Sequence, residues 1–157
     1  MHISSLIGHT QELLGIILNS KKPADVIIDT FFRSHKYLGS HDRKFVAETT
    51  YGTLRHLRKC ELMVSSAIAE LGETLFDEDK ILFLVIAYLS LQGRMQSVTS
   101  EDVSSKLKSK RLAEIAENIF DTFTKPVTIP TESVIERIGI EHSFPDWMVQ
   151  KFIEQYG

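Results

Sequence analysis

The chain has 157 residues, 43% apolar and 25% charged, which suits one globular domain with a real hydrophobic core. Its single cysteine, Cys60, excludes an intramolecular disulfide, and the longest apolar run, Ile81 to Leu89, reaches only about half of the ~20 residues that span a bilayer. The net charge of −3 divides unevenly: residues 1–60 hold nine Lys+Arg against five Asp+Glu, for +4, and residues 61–157 hold nine against sixteen, for −7. This argues against strong non-specific nucleic-acid binding but leaves room for a local basic stripe.

Only four prolines and eight glycines interrupt long apolar-periodic runs, so the predicted class is all-α. Residues 3–19 read as a first helix, with Ile3, Leu6, Ile7, Leu13, Leu14, Ile17 and Leu18 recurring at three and four and no Lys or Arg. Pro23 suits the first turn of a second helix over 23–37, burying Val26, Ile27 and Phe31, with Gly39 as its C-terminal cap. Ser40 or Asp42 then offers an N-cap to a central helix over 42–58.

On that helix Val46, Thr49, Thr50, Thr53, Leu54, Leu57 and Cys60 fall on one side. Lys44, Tyr51, Arg55, Arg58 and Lys59 fall on the other. The second face is either a solvated helix surface or a phosphate-contacting one with a single ring for base stacking. Gly52 in mid-helix costs about 1 kcal/mol relative to alanine, which a closely crossing helix would justify. Arg43 is expected to pair with a carboxylate inside the fold.

Helix is predicted to continue through 60–71 and to stop at Gly72. Asp77, Glu78 and Asp79 then open a helix that is apolar nearly all round from Ile81 to Leu91, a pattern expected at the centre of a bundle and against the 42–58 helix. After a loop over 93–98, Thr99 and Asp102 form a capping-box pattern, followed by a short helix to Lys108 and another from Arg111 to Thr124. Lys106, Lys108, Lys110 and Arg111 make a second basic cluster, read as a solvated turn. Lys125 to Pro130, with two prolines, reads as an extended linker.

Two stretches resemble a known family. The run Asp42-Arg43-Lys44-Phe45-Val46-Ala47-Glu48-Thr49-Thr50-Tyr51-Gly52-Thr53-Leu54-Arg55 resembles the D-R-x-F-x-x-E-x-x-Y-G-x-L-R motif of the NusB-like RNA-binding fold. The version it resembles is that at the N-terminus of bacterial Sun (RsmB-type) rRNA cytosine-C5 methyltransferases. It departs from the pattern at Thr49 and Thr50, where the family has bulkier apolar residues. The tail from His142 to Gly157, with Ser143, Pro145, Trp147, Val149, Ile153 and Tyr156 in register, resembles the family's H-S-x-P-x-W-L-V-x-x-W-I-x-x-Y-G segment.

The resemblance implies a NusB-like helical bundle over 1–124, and over 125–157 a linker and helix leading to a methyltransferase domain. That domain would lie beyond Gly157, so the expectation is a piece of a longer cytoplasmic protein. The implied role is to hold ribosomal RNA through Lys44, Tyr51, Arg55, Arg58 and Lys59. Chemistry and S-adenosylmethionine would belong to the downstream domain, which with the RNA is the implied partner. Neither a catalytic site, nor a cofactor-binding or metal-ligand spacing, nor a Gly-rich phosphate loop is legible in the chain itself. Cys60, on the inward face, reads as a buried structural thiol rather than a nucleophile. His142 and Trp147 read as a packing corner. Two other readings are a free-standing NusB-type antitermination factor, against which the uncharged first helix and the Trp147 tail both argue, and a helical protein-interaction module that never touches RNA.

Overall fold

The computed structural model describes residues 1–125, 129 and 131–156. Among them are ten helices and no strand: α1 Ile3–Leu18, α2 Ala24–Ser34, α3 Ser40–Arg55, α4 Leu57–Leu71, α5 Asp77–Leu91, α6 Ser100–Ser104, α7 Lys110–Glu114, α8 Ala116–Thr124, α9 Val134–His142 and α10 Asp146–Tyr156. The all-α expectation is borne out.

The architecture follows from α5, whose residues Leu82 to Leu89 are all buried. A helix without a polar face must be covered on every side. Here α1, α3, α4 and α8 cover it. Its core joins Met63, Val64 and Ala67 of α4 to Ile7 and Leu14 of α1, and to Val103, Leu112, Ile119 and Phe123 of α6–α8. A second core lies on an adjoining face of α1, where Leu6, Leu13 and Ile17 meet Ile27, Ile28 and Phe31 of α2, with Leu38 and Val46. Because α1 contributes to two cores, a wide sector of it is apolar. Each such Leu, Ile or Phe contributes about 1.5–3 kcal/mol by leaving water.

Several boundaries follow their residues as expected. Gly72 stops α4 in the left-handed region at φ 67°, with Glu73 N–H donating to the Ile68 carbonyl at 3.2 Å. The capping box of α6 is complete, Asp102 N–H donating to Thr99 Oγ1 at 3.2 Å and Thr99 N–H to Asp102 Oδ2 at 2.9 Å.

Other boundaries differ. The 42–58 segment is two helices: the chain bends at His56, whose Nδ1 and amide both lie within hydrogen-bond distance of the Gly52 carbonyl, 2.9 and 3.1 Å. Gly39 caps the start of α3 rather than the end of α2, and neither Ser40 nor Asp42 supplies a side-chain cap. Val26 is exposed and Ile28 takes its place inside. The 111–124 helix divides at Ile115. Asp79 is fully buried, and its carboxylate accepts from the amides of Lys108 and Ser109 at 2.9 and 3.2 Å, tying the start of α7 to α5. The second basic cluster is partly neutralised, with Lys108 on Glu78 at 3.0 Å and Arg111 on Glu73 at 2.9 Å. Most of the Lys125–Pro130 linker lies outside the described residues.

Candidate nucleic-acid interface

The outer side of α3 is built by a simple alternation. Val46, Thr49, Thr50, Gly52 and Thr53 are buried beneath it. His41, Lys44, Glu48, Tyr51 and Arg55, spaced three and four residues apart, stand exposed as one stripe. The small inner residues let α3 approach α5 closely, and at Gly52 an added Cβ would overlap the Tyr88 ring. The mid-helix glycine therefore has the crossing helix that its cost requires. Thr53 Oγ1 donates to the Thr49 carbonyl at 2.8 Å, whereas the buried hydroxyls of Thr49 and Thr50 have no partner among the described residues.

The five residues singled out in the sequence separate into two groups. Lys44, Tyr51 and Arg55 share the exposed stripe, Arg55 Nε lying 3.4 Å from the Tyr51 carbonyl. None of the three makes an ion pair among the described residues. Arg58 and Lys59 lie past the bend, on α4, half-buried and engaged. Arg58 Nη1 donates to Asp146 Oδ1 at 2.7 Å and to the Phe144 carbonyl at 2.8 Å. Lys59 Nζ donates to Glu141 Oε1 at 2.8 Å and holds that carboxyl below its ordinary range. These contacts clamp the α9–α10 pair onto α4. Gly139 of α9 makes room for them, since a Cβ there would meet the Arg58 guanidinium and the Phe144 carbonyl oxygen.

Arg43 departs from expectation: it is exposed and donates from Nε to the Leu38 carbonyl at 2.8 Å, not to a carboxylate. The His142–Trp147 corner is also corrected. His142 stacks on Phe144 instead, and Trp147 is 63% exposed. Cys60 is buried as expected, and burial pushes its thiol up to about 12, which leaves it protonated and inert at neutral pH.

One cation was not legible in the sequence. Arg94, just after α5, places its guanidinium 5.2 Å from the centre of the Phe45 ring. The 48 residues between them carry no signal of this contact, which the α3–α5 crossing creates.

Among the described residues no cluster of three His, Cys, Asp or Glu is placed to hold a metal ion, and no helix is long and apolar enough to cross a membrane. On the α9–α10 pair, Phe144, Met148, Phe152 and Ile153 line an apolar groove of about 250 Å³ against Ile138. The arrangement offers cationic and aromatic contacts on α3 and an apolar contact surface on α10. A scan against known protein families, a search of curated proteins and a search of solved structures each find no match.

Proposed function

We propose that the chain is a NusB-like RNA-binding domain serving a cytoplasmic, S-adenosylmethionine-dependent 16S rRNA cytosine-C5 methyltransferase of the Sun type, whose catalytic domain holds the cofactor. The observation that carries this reading is the exposed α3 stripe, where Lys44, Tyr51 and Arg55 stand with a single carboxylate, Glu48, and neither cation makes an ion pair among the described residues. Lys44 and Arg55 stand roughly 16 Å apart at ~1.5 Å per helical residue, which suits non-adjacent phosphates of one strand, and the ring between them suits a splayed base. The stripe lies within the segment that resembles the family's motif. Its role here is to position ribosomal RNA; the reaction itself is assigned to the methyltransferase domain. Arg58 and Lys59 are left to their ion pairs with Asp146 and Glu141, which fix the α9–α10 pair. The apolar face of α10 then gives the methyltransferase domain a surface to rest on, with Trp147, Phe152 and Tyr156 all well exposed. The same face favours the second reading, a protein-interaction module without an RNA ligand.

Titration of fluorescent 16S rRNA fragments with the protein tests the choice. Binding that weakens with salt and with Lys44→Ala/Arg55→Ala supports the RNA reading. Binding indifferent to both overturns it.

A further inference from the structure

Arg94 holds its guanidinium 5.2 Å from the centre of the Phe45 ring, and we infer that this pair seats an unpaired base of single-stranded RNA at the edge of the α3 stripe. The inference rests on the RNA-binding reading above and specifies the form of RNA. Phe45 is half-buried, packed against both cores, so its ring is a fixed floor. Arg94 is delivered over it by a defined turn. Gly93 adopts φ 64°, the Arg94 amide donates to the Leu89 carbonyl at 2.9 Å, and Gln96 Nε2 donates to the Gly93 carbonyl at 2.6 Å. The guanidinium is exposed and makes no ion pair or side-chain hydrogen bond among the described residues.

This solvent-facing arginine lies over an aromatic ring with the rest of its surface open. A guanidinium over a ring offers both a π-face and a positive charge, the two features that receive a splayed base and its phosphate. Phe45 follows Lys44 directly, at the border between the exposed stripe and the buried side of α3. A strand whose phosphates follow Lys44 and Arg55 therefore passes beside Arg94. Paired bases cannot be splayed in this way, so the platform selects single-stranded segments over duplex.

The test uses short oligo(A) RNA, the same strand with abasic positions, and an RNA duplex, with affinity read by fluorescence anisotropy. Arg94→Lys keeps the charge and removes the plane. It is expected to weaken oligo(A) binding about five- to tenfold, with an unchanged salt slope, and to leave abasic-strand binding as it was. Phe45→Leu, checked for an unchanged melting temperature, should reproduce the loss. Equal affinity of Arg94→Lys and wild type for oligo(A), or equal wild-type affinity for base-bearing and abasic strands, overturns the platform. If Lys44→Ala/Arg55→Ala still weakens rRNA binding in that case, the RNA-binding reading stands without it. If no RNA of any form binds, both fall.

Discussion

Gly52 of α3 and Tyr88 of α5 touch so closely that the tyrosine ring occupies the volume a side chain at 52 would need. Tyr88 is itself buried in the main core, so the ring has little freedom to withdraw. The pair sets the distance between the helix that carries the stripe and the helix around which the core is built.

Gly52→Ala is expected to destabilise the protein by about 1–3 kcal/mol through overpacking, although alanine is the better helix former by about 1 kcal/mol. Tyr88→Leu removes the far end of the ring, and in that background Gly52→Ala should cost nothing or stabilise. Urea denaturation of the two single variants and the double variant measures the coupling. Additive losses would show that the close approach does not set the energetics of this crossing.

The clamp on α9–α10 predicts a local rather than a global effect. Arg58 and Asp146 are 31% and 55% exposed, so screening limits the contribution of their pair to about 1 kcal/mol or less. Arg58→Ala should hardly move the unfolding midpoint yet speed amide exchange across α9 and α10. Gly139→Ala should do the same by colliding with the clamp from the other side. Acid acts in the same sense. Glu141 has its pKa lowered from 4.5 mainly by the Lys59 hydrogen bond, so its stabilisation is present above 4.5 and is lost as pH falls through the lowered value. The protection of α9 amides, corrected for the intrinsic exchange rate at each pH, should fall over that acid window, and Glu141→Gln should abolish the fall.

Cys60 gives a probe of the core. Its thiol is raised from 9.0 to about 12 chiefly by burial. In the unfolded chain it ionises at its ordinary pKa, so its contribution is complete below pH 9.0 and disappears as pH rises toward about 12. Thiol reagents at neutral pH should leave the native protein unmodified and label it on unfolding in urea. Cys60→Ala should flatten part of the alkaline loss of stability. Rapid labelling of the native protein would show that α4 opens far more readily than its packing implies.

What the sequence made legible here are features with a local cause. The all-round apolar run from Ile81 to Leu91 announced a central helix, Gly52 announced a close crossing, and Thr99 with Asp102 announced a cap. The break at His56 is not legible because periodicity runs through it nearly unbroken; it lies in the backbone of that one residue, at φ −112° and ψ 21°. The engagement of Arg58 and Lys59 depends on carboxylates more than 80 residues away, and Arg94 reaches Phe45 only through the crossing of α3 and α5. Charge on a helix face can be read from spacing, whereas its pairing is decided by whatever the fold brings alongside.

That distinction sets the last prediction. Lys44 and Arg55 face solvent and make no ion pair among the described residues, so a phosphate can reach them without breaking one, although Glu48 on the same stripe opposes an anion. Arg58 and Lys59 must first give up contacts of 2.7–2.8 Å with Asp146 and Glu141. Replacing the first pair with alanine should lower affinity for single-stranded rRNA fragments. The log–log salt slope should flatten by roughly 0.7 per lost phosphate contact. Replacing the second pair should leave affinity and slope near wild type while loosening α10. Filter binding across a salt series, beside hydrogen exchange on the same proteins, separates the two effects. A larger loss from Arg58→Ala/Lys59→Ala would mean that RNA competes for the clamp and that the interface runs across α4 rather than along α3.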